Sequence, residues 1–266
     1  MSSSVRWYNP ETLEIVSKVP SADGKKEVNA TIAHARKQGF LPSVTSILST
    51  VLAGGQGLED WKTNQVIVAC MSFPFDQDPE NDAIVSDYKK MIKAKSKEVA
   101  NKAAEEGNIL HGYMNRWMET KEIPDDPIGK NMISKIVSHL SSMVAIHGQV
   151  TAISSEIPVG SKELGFCGTP DVHITFADGF VLIADLKSVD FKKYKAPYDS
   201  QRSQLGGYCI LTKSKPDTTL QQWVVDRATG DMIFFEHEEP EKWVKHFQCL
   251  YECFAIMKKY DARTVV

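Results

Sequence analysis

The chain has 266 residues, of which 42% are hydrophobic and 24% charged, and a net charge of −3. That length holds one large domain or a core with an added lobe, and that composition excludes an intrinsically disordered chain. The charge excludes a uniformly basic nucleic-acid binder but leaves room for a local basic groove.

Residues 5–19 alternate around Asn9-Pro10-Glu11 and predict a short hairpin. Residues 20–42 are polar, with a turn at Asp23-Gly24. Ser43 is a helix cap for a segment running to Leu52, which Gly54-Gly55-Gln56-Gly57 ends. A helix is expected over 58–71, then a loop bracketed by Pro74 and Pro79. Residues 81–106 form helix readily and are rich in lysine (Lys89, Lys90, Lys93, Lys95, Lys97, Lys102). With acids interspersed, this reads as a solvated helix rather than a phosphate track. Gly107 is expected to interrupt it before a further helix over 109–118, and 127–147 reads as another.

The period then changes. Strands are expected over 151–158, 166–176 and 180–186, with Asp178-Gly179 as a hairpin turn. A helix over 200–211, a strand pair over 220–226 and 232–236, and a closing helix over 240–260 complete the chain. The expected fold is mixed α/β (α+β), a central mixed sheet flanked by helices. A mainly helical N-terminal lobe spans 1–148 and the strand-rich core 149–266.

The chemistry concentrates in the core. Gly168-Thr169-Pro170-Asp171 is followed, after thirteen residues, by Asp185-Leu186-Lys187 at the end of an apolar run. Side chains alternate along a strand, so Asp185 and Lys187 share a face. Buried charges are costly unless they serve something. Two acids and a lysine can hold a hard divalent cation and place an ammonium beside the water it activates. Glu156 on the preceding strand faces the same place if the strands pair in order; alone it would read as a solvated glutamate. His111 offers an imidazole suited to Mn²⁺, although a lone helical histidine is more often a packing residue. Gln204 and Tyr208, four apart, share a helix face, and Gly206-Gly207 between them permits close backbone approach. Lys192, Lys193, Lys195 and Arg202 follow the Asp185 strand and are placed to meet phosphates.

The five cysteines, Cys70, Cys167, Cys209, Cys249 and Cys253, are scattered. Only Cys249 and Cys253 are grouped, too few for an iron–sulfur cluster. With no signal peptide and no apolar run of membrane length, they read as reduced thiols of a cytoplasmic protein that makes no membrane contact.

Together, His111, Glu156, Gly168-Thr-Pro-Asp171, Asp185-x-Lys187 and Gln204-x-x-x-Tyr208 resemble the RecB-like branch of the PD-(D/E)XK nuclease superfamily. The Gln-x-x-x-Tyr element is specific to that branch. Leu41-Pro42-Ser43-Val44-Thr45-Ser46-Ile47-Leu48, followed by Leu58-x-x-Trp61-Lys62, is similar to the front of mitochondrial genome maintenance exonucleases and phage-type single-strand exonucleases. Asp185 stands where many members have glutamate, which the motif allows. The resemblance covers roughly residues 41–211. It implies a restriction-endonuclease-like core and a metal-dependent DNA exonuclease acting on single-stranded ends. One or two Mg²⁺ or Mn²⁺ ions would be held by Asp171, Asp185, His111, Glu156 and the Leu186 carbonyl. Lys187 would orient or deprotonate the water, and Gln204 and Tyr208 would position the strand. Trp61, Tyr113 and Trp117 are available for base stacking, though core packing is the commoner role for such aromatics. A bacterial or phage-infected cell is the setting that goes with it. The alternatives are a duplex-end recombination exonuclease, a structure-specific endonuclease, or an inactive DNA-binding protein on a nuclease fold.

Overall fold

A computed structural model of the chain describes residues 5–21, 23–52, 56–73, 80–214 and 218–265, the side chains of 56–62, 99 and 100 excepted. Gly54-Gly55, the loop between Pro74 and Pro79 and the Trp61 side chain therefore lie outside the described residues. The chain divides into two compact units, Met1–Ala53 with His111–Val266, and Gly54–Leu110. This grouping is by packing, whereas the boundary expected at 148/149 follows a change in local structure along the chain.

In the first unit, β1 (Trp7–Tyr8) and β2 (Ile15–Val16) form the expected hairpin. β3 (Lys18–Pro20) and β4 (Glu27–Asn29) form a second, with Gly24 at φ 68° in its turn. The polar 20–42 stretch also contains α1 (Ile32–Gln38), whose start is held by the Thr31 N–H donating to His34 Nδ1 at 3.1 Å. β5 (Leu41–Pro42) pairs with β1. Ser43 then caps α2 (Val44–Val51) by accepting the Ser46 N–H at 3.0 Å.

The second unit comprises α3 (Gln56–Ser72) and most of α4 (Asp82–Thr120). α4 is continuous, so Gly107 does not interrupt it. A helical glycine costs about 1 kcal/mol against alanine, which the flanking turns tolerate. Lys90 pairs with Asp87 and Lys95 with Glu98 along the exposed face, as a solvated helix does.

The remaining elements build the sheet. Asp126 caps α5 (Pro127–His147) by accepting the Gly129 N–H at 2.8 Å, and Pro127 occupies its first turn. The strands are β6 (Val150–Ser154), β7 (Val159–Ser161), β8 (Phe166–Gly168), β9 (Val172–Phe176) and β10 (Val181–Val189). α6 (Asp199–Leu211), β11 (Thr218–Asp226), β12 (Met232–His237) and α7 (Pro240–Lys258) follow. The expected strand over 151–158 breaks at Ser155-Glu156, and that over 166–176 breaks at 169–171, so β7 and β8 pair apart from the main sheet. The main sheet has the order β12-β11-β10-β9-β6, with β10 and β11 parallel and the other pairs antiparallel. It is a mixed five-stranded sheet flanked by helices. Gly179, at φ 87°, turns β9 into β10 as the Asp178-Gly179 pair predicts.

β10 is buried on both faces over 182–186, which is why it reads as an unbroken apolar run. Ile183 joins a core with Leu205, Leu220 and Phe247, so this face lies under α6 and α7. On the other face His139 of α5 reaches Gln221 at 2.9 Å and stacks on Phe234. Asp185 and Lys187 continue the Ile183 side of the strand and meet α6.

α6 approaches α7 through its two central glycines. A Cβ on Gly206 would lie 2.3 Å from the Trp243 carbonyl oxygen, and one on Gly207 would lie 2.9 Å from the Phe247 ring. The backbone approach expected of Gly206-Gly207 is thus made against α7. Gly206→Ala is expected to lower stability by about 1–3 kcal/mol, the usual cost of overpacking. Urea denaturation measures it, and an unchanged midpoint would show that α7 yields without cost.

Candidate metal centre and its carboxylate network

Asp171 is the last residue before β9 and lies level with Asp185, one step past the Val172–Ala184 pair. Its Oδ2 accepts the Leu186 N–H at 2.7 Å, and its backbone carbonyl accepts the Ser155 hydroxyl at 2.8 Å. Glu156 donates its own N–H to the Pro170 carbonyl at 3.0 Å and adopts a left-handed φ of 52°. That conformation is strained for a residue with a Cβ and turns the chain between β6 and β7. Ser155-Glu156 is thereby tied back to the Pro170-Asp171 corner.

His111 supplies the third corner. Its Nδ1 lies 3.6 Å from Glu156 Oε1 and 3.7 Å from Asp171 Oδ2. The three donor atoms lie within 4.8 Å of one another, the one such group of histidine, cysteine and acid ligands found among the described residues. Burial pushes the His111 pKa below the ordinary histidine value, against the opposing pull of Asp185 and Glu156. The ring is therefore neutral near pH 7, as a ligand must be. The Leu186 peptide, whose N–H is bound by Asp171 Oδ2, lies at the edge of the same group.

Asp185 sits beside this group, only 1% exposed. Its Oδ2 accepts from Lys187 Nζ at 2.6 Å and from Gln222 Nε2 at 2.7 Å. Its Oδ1 accepts from Gln204 Nε2 at 2.8 Å. The Asp185 carboxylate is thus held by protein donors, and the group that could hold a metal consists of His111, Glu156 and Asp171. Burial alone would push the Lys187 ammonium down, but the charges of Asp185 and Asp171 outweigh it and raise its pKa. So placed, Lys187 stays charged and is ill suited to take up a proton.

Gln204 links the network to α6. The same Nε2 donates to the Tyr208 hydroxyl at 2.9 Å, and Gln204 Oε1 lies 3.5 Å from Lys187 Nζ. Tyr208 is 3% exposed, with its ring against Gly168. A ring so buried does not stack on a base; it reaches the site through Gln204. Trp117 is likewise buried, and Tyr113 lies over Gly129 of α5, so both are packing residues.

Gln222 is the participant that motif reasoning passes over. A polar pair, Gln221-Gln222, in the middle of the buried strand β11 is the signal that points to it. Cys167 and Cys209 are buried, while Cys249 and Cys253 are exposed on α7.

The donor set suits a hard cation. One imidazole and two carboxylates offer nitrogen and oxygen ligands, as Mn²⁺ and Mg²⁺ accept. Burial, and then the Asp185 charge, pushes the Asp171 carboxyl well above the usual carboxylate range. A divalent ion beside Asp171 would relieve that crowding.

No family model and no curated protein matches the chain. Among solved structures it is similar to one described as the crystal structure of SSO0001, at 14% identity and a TM-score of 0.33, over 80% of this chain and 96% of that one. No helix among the described residues is long and apolar enough to cross a membrane.

The raised pKa of Asp171 sets a sign for stability. The contribution of a carboxyl raised in the fold is fully present below its unfolded pKa near 4 and lost as pH rises through the folded value. At pH 7, above the unfolded pKa, the Asp171 carboxyl therefore weakens the fold. Asp171→Asn is expected to raise the thermal midpoint at pH 7 by about 2–4 °C, the shift given by roughly 1 kcal/mol in a chain of this size. The difference should vanish toward pH 4. A lower midpoint for the Asn variant at pH 7, in chelator, would contradict it.

Proposed function

We propose that the chain is a divalent-metal-dependent deoxyribonuclease with a PD-(D/E)XK core, hydrolysing phosphodiester bonds at single-stranded DNA ends. The observation that carries this reading is the His111, Glu156 and Asp171 cluster lying against the Asp185-Leu186-Lys187 end of β10. A Mg²⁺ or Mn²⁺ ion held by that cluster with Asp185 would supply the charge that polarises a phosphate and acidifies a water. Lys187 Nζ would balance charge on the phosphate and align the water. Glu156, whose side chain is 38% exposed against 14% for Asp171, would hold the ion or its water on the open side of the cluster. Gln204 holds Asp185, and Tyr208 holds Gln204.

The choice of DNA and of single-stranded ends comes from the resemblance in motif order. It is supported by the exposed Lys192, Lys193 and Lys195 and the 62% exposed Tyr198, which follow β10 and precede α6. The test is a panel of single-stranded, duplex, flapped and circular DNA with Mg²⁺, Mn²⁺ or chelator. Cleavage of single-stranded ends with either metal and none with chelator is expected. Binding without cleavage under every condition would point to a DNA-binding protein instead.

Two variants probe the assigned roles. Lys187→Ala is expected to lower turnover by at least about 10²-fold. It also strips the counter-charge from buried Asp185, so the fold should lose about 3 kcal/mol, part of which Asp185→Asn in the same chain restores. Urea denaturation beside the cleavage assay separates the two effects, and turnover near wild type would sink the role given to Lys187.

His111→Ala should weaken metal activation more for Mn²⁺ than for Mg²⁺, because imidazole suits Mn²⁺ better. Superimposable activation curves would make His111 a packing residue only.

A further inference from the structure

We infer that Gln222 is a positioning residue for Asp185, fixing the rotamer in which that carboxylate meets the cation, and that Asp185 Oδ1 is the oxygen presented to it. The inference rests on the nuclease reading of this site and adds to it a residue that none of the site motifs contains.

Gln222 is fully buried in β11, between neighbours that are themselves buried. An apolar side chain would fit this strand at lower cost, since a buried amide needs partners at both ends. Only one end has them. Gln222 Nε2 donates to Asp185 Oδ2 at 2.7 Å and also to the backbone carbonyl of Asp185. Gln222 Oε1 is buried with no hydrogen-bond partner among the described residues. An amide kept to satisfy itself would not leave its oxygen bare; one kept to hold Asp185 would.

The geometry of the hold is specific. β10 and β11 run parallel with Asp185 opposite Gln222, so the two side chains leave the sheet on the same face. A single N–H₂ group that bridges the carboxylate and the carbonyl of one residue ties that residue's side chain to its own backbone. The Asp185 rotamer is then set by β11 rather than by the side chain's own preference. The same bonds divide the work of the two oxygens. Each carboxylate oxygen has about two acceptor sites. Oδ2 fills both with Lys187 and Gln222, whereas among the described residues Oδ1 accepts from Gln204 alone. Oδ1 is therefore the oxygen with capacity left for a cation.

The test compares Mn²⁺ affinity by calorimetry, thermal midpoint, and Mg²⁺-dependent cleavage of a single-stranded oligonucleotide. The proteins are the full chain as wild type, Gln222→Met, Gln222→Asn, Asp185→Asn and the Asp185→Asn/Gln222→Met double variant. Methionine matches glutamine in size and removes both the donor and the bare oxygen. Gln222→Met should weaken Mn²⁺ binding and lower kcat, each by about tenfold or more, the usual cost of losing a group that orients a ligand. KM for the oligonucleotide should stay within about twofold, because the substrate's own contacts remain. Gln222→Asn keeps an amide and should fall between, and it carries the comparison if the Met variant does not fold. In the Asp185→Asn background the Met substitution should add less than about twofold to the loss of Mn²⁺ affinity, since Gln222 acts through Asp185. Mn²⁺ affinity unchanged in Gln222→Met, or an equal loss with and without Asp185, would overturn the inference. A wild type that binds Mn²⁺ with this coupling yet cleaves no nucleic acid would overturn the nuclease reading and leave Gln222 as the residue that orients Asp185.

Discussion

A carboxylate at 1% exposure, Asp185, is the constraint around which the site is arranged. An isolated charge there would cost many kcal/mol, and the chain answers with three donors from three directions. Lys187 comes from the same strand, Gln204 from α6 and Gln222 from β11. Each donor requires its element to sit where it does. The parallel β10–β11 register brings Gln222 opposite Asp185, and the close approach of α6 to α7 seats the helix that carries Gln204. The interior polar network is therefore also a specification of the fold, because a shift of register by one residue would strand the charge.

The second acid is treated differently, and the difference is chemically useful. Asp171 has one backbone N–H from Leu186, while burial and the neighbouring Asp185 raise its pKa. Asp185 is held by three protein donors; Asp171, with Glu156 and a neutral His111, has no such set. The arrangement separates a carboxylate locked in orientation from a group that could hold a cation and lacks positive charge of its own. Glu156 reaches this group through a left-handed backbone turn held by the Pro170 carbonyl, so local strain is spent on its placement.

Much of this was legible from residue types alone. The apolar run ending in Asp185-Leu186-Lys187, the Asp178-Gly179 turn, the Ser43 cap and the 127–147 helix each carry a strong local signal, and the elements lie where those signals place them. The less legible parts depend on tertiary partners. α1 is hidden because its start is stabilised by His34 rather than by a common capping pair. Gly107 reads as a break, yet one glycine is weak against a long helix. The strand expected over 151–158 ends early because Glu156 turns toward Asp171, a pull from a residue fifteen positions away. Tyr208 looks available to a base until its burial against Gly168 is seen. Gln222 belongs to no motif, and its meaning depends on a register between parallel strands that only the folded chain provides.

A cation at one place is what the arrangement of these side chains requires. Diffraction from crystals soaked in Mn²⁺, recorded for anomalous scattering at the manganese edge, tests it most directly. A peak ligated by His111, Glu156 and Asp171, with Asp185 Oδ1 at its border, is the predicted result. A site that binds no Mn²⁺ at saturating concentration, or a peak that leaves these four residues unligated, would contradict it.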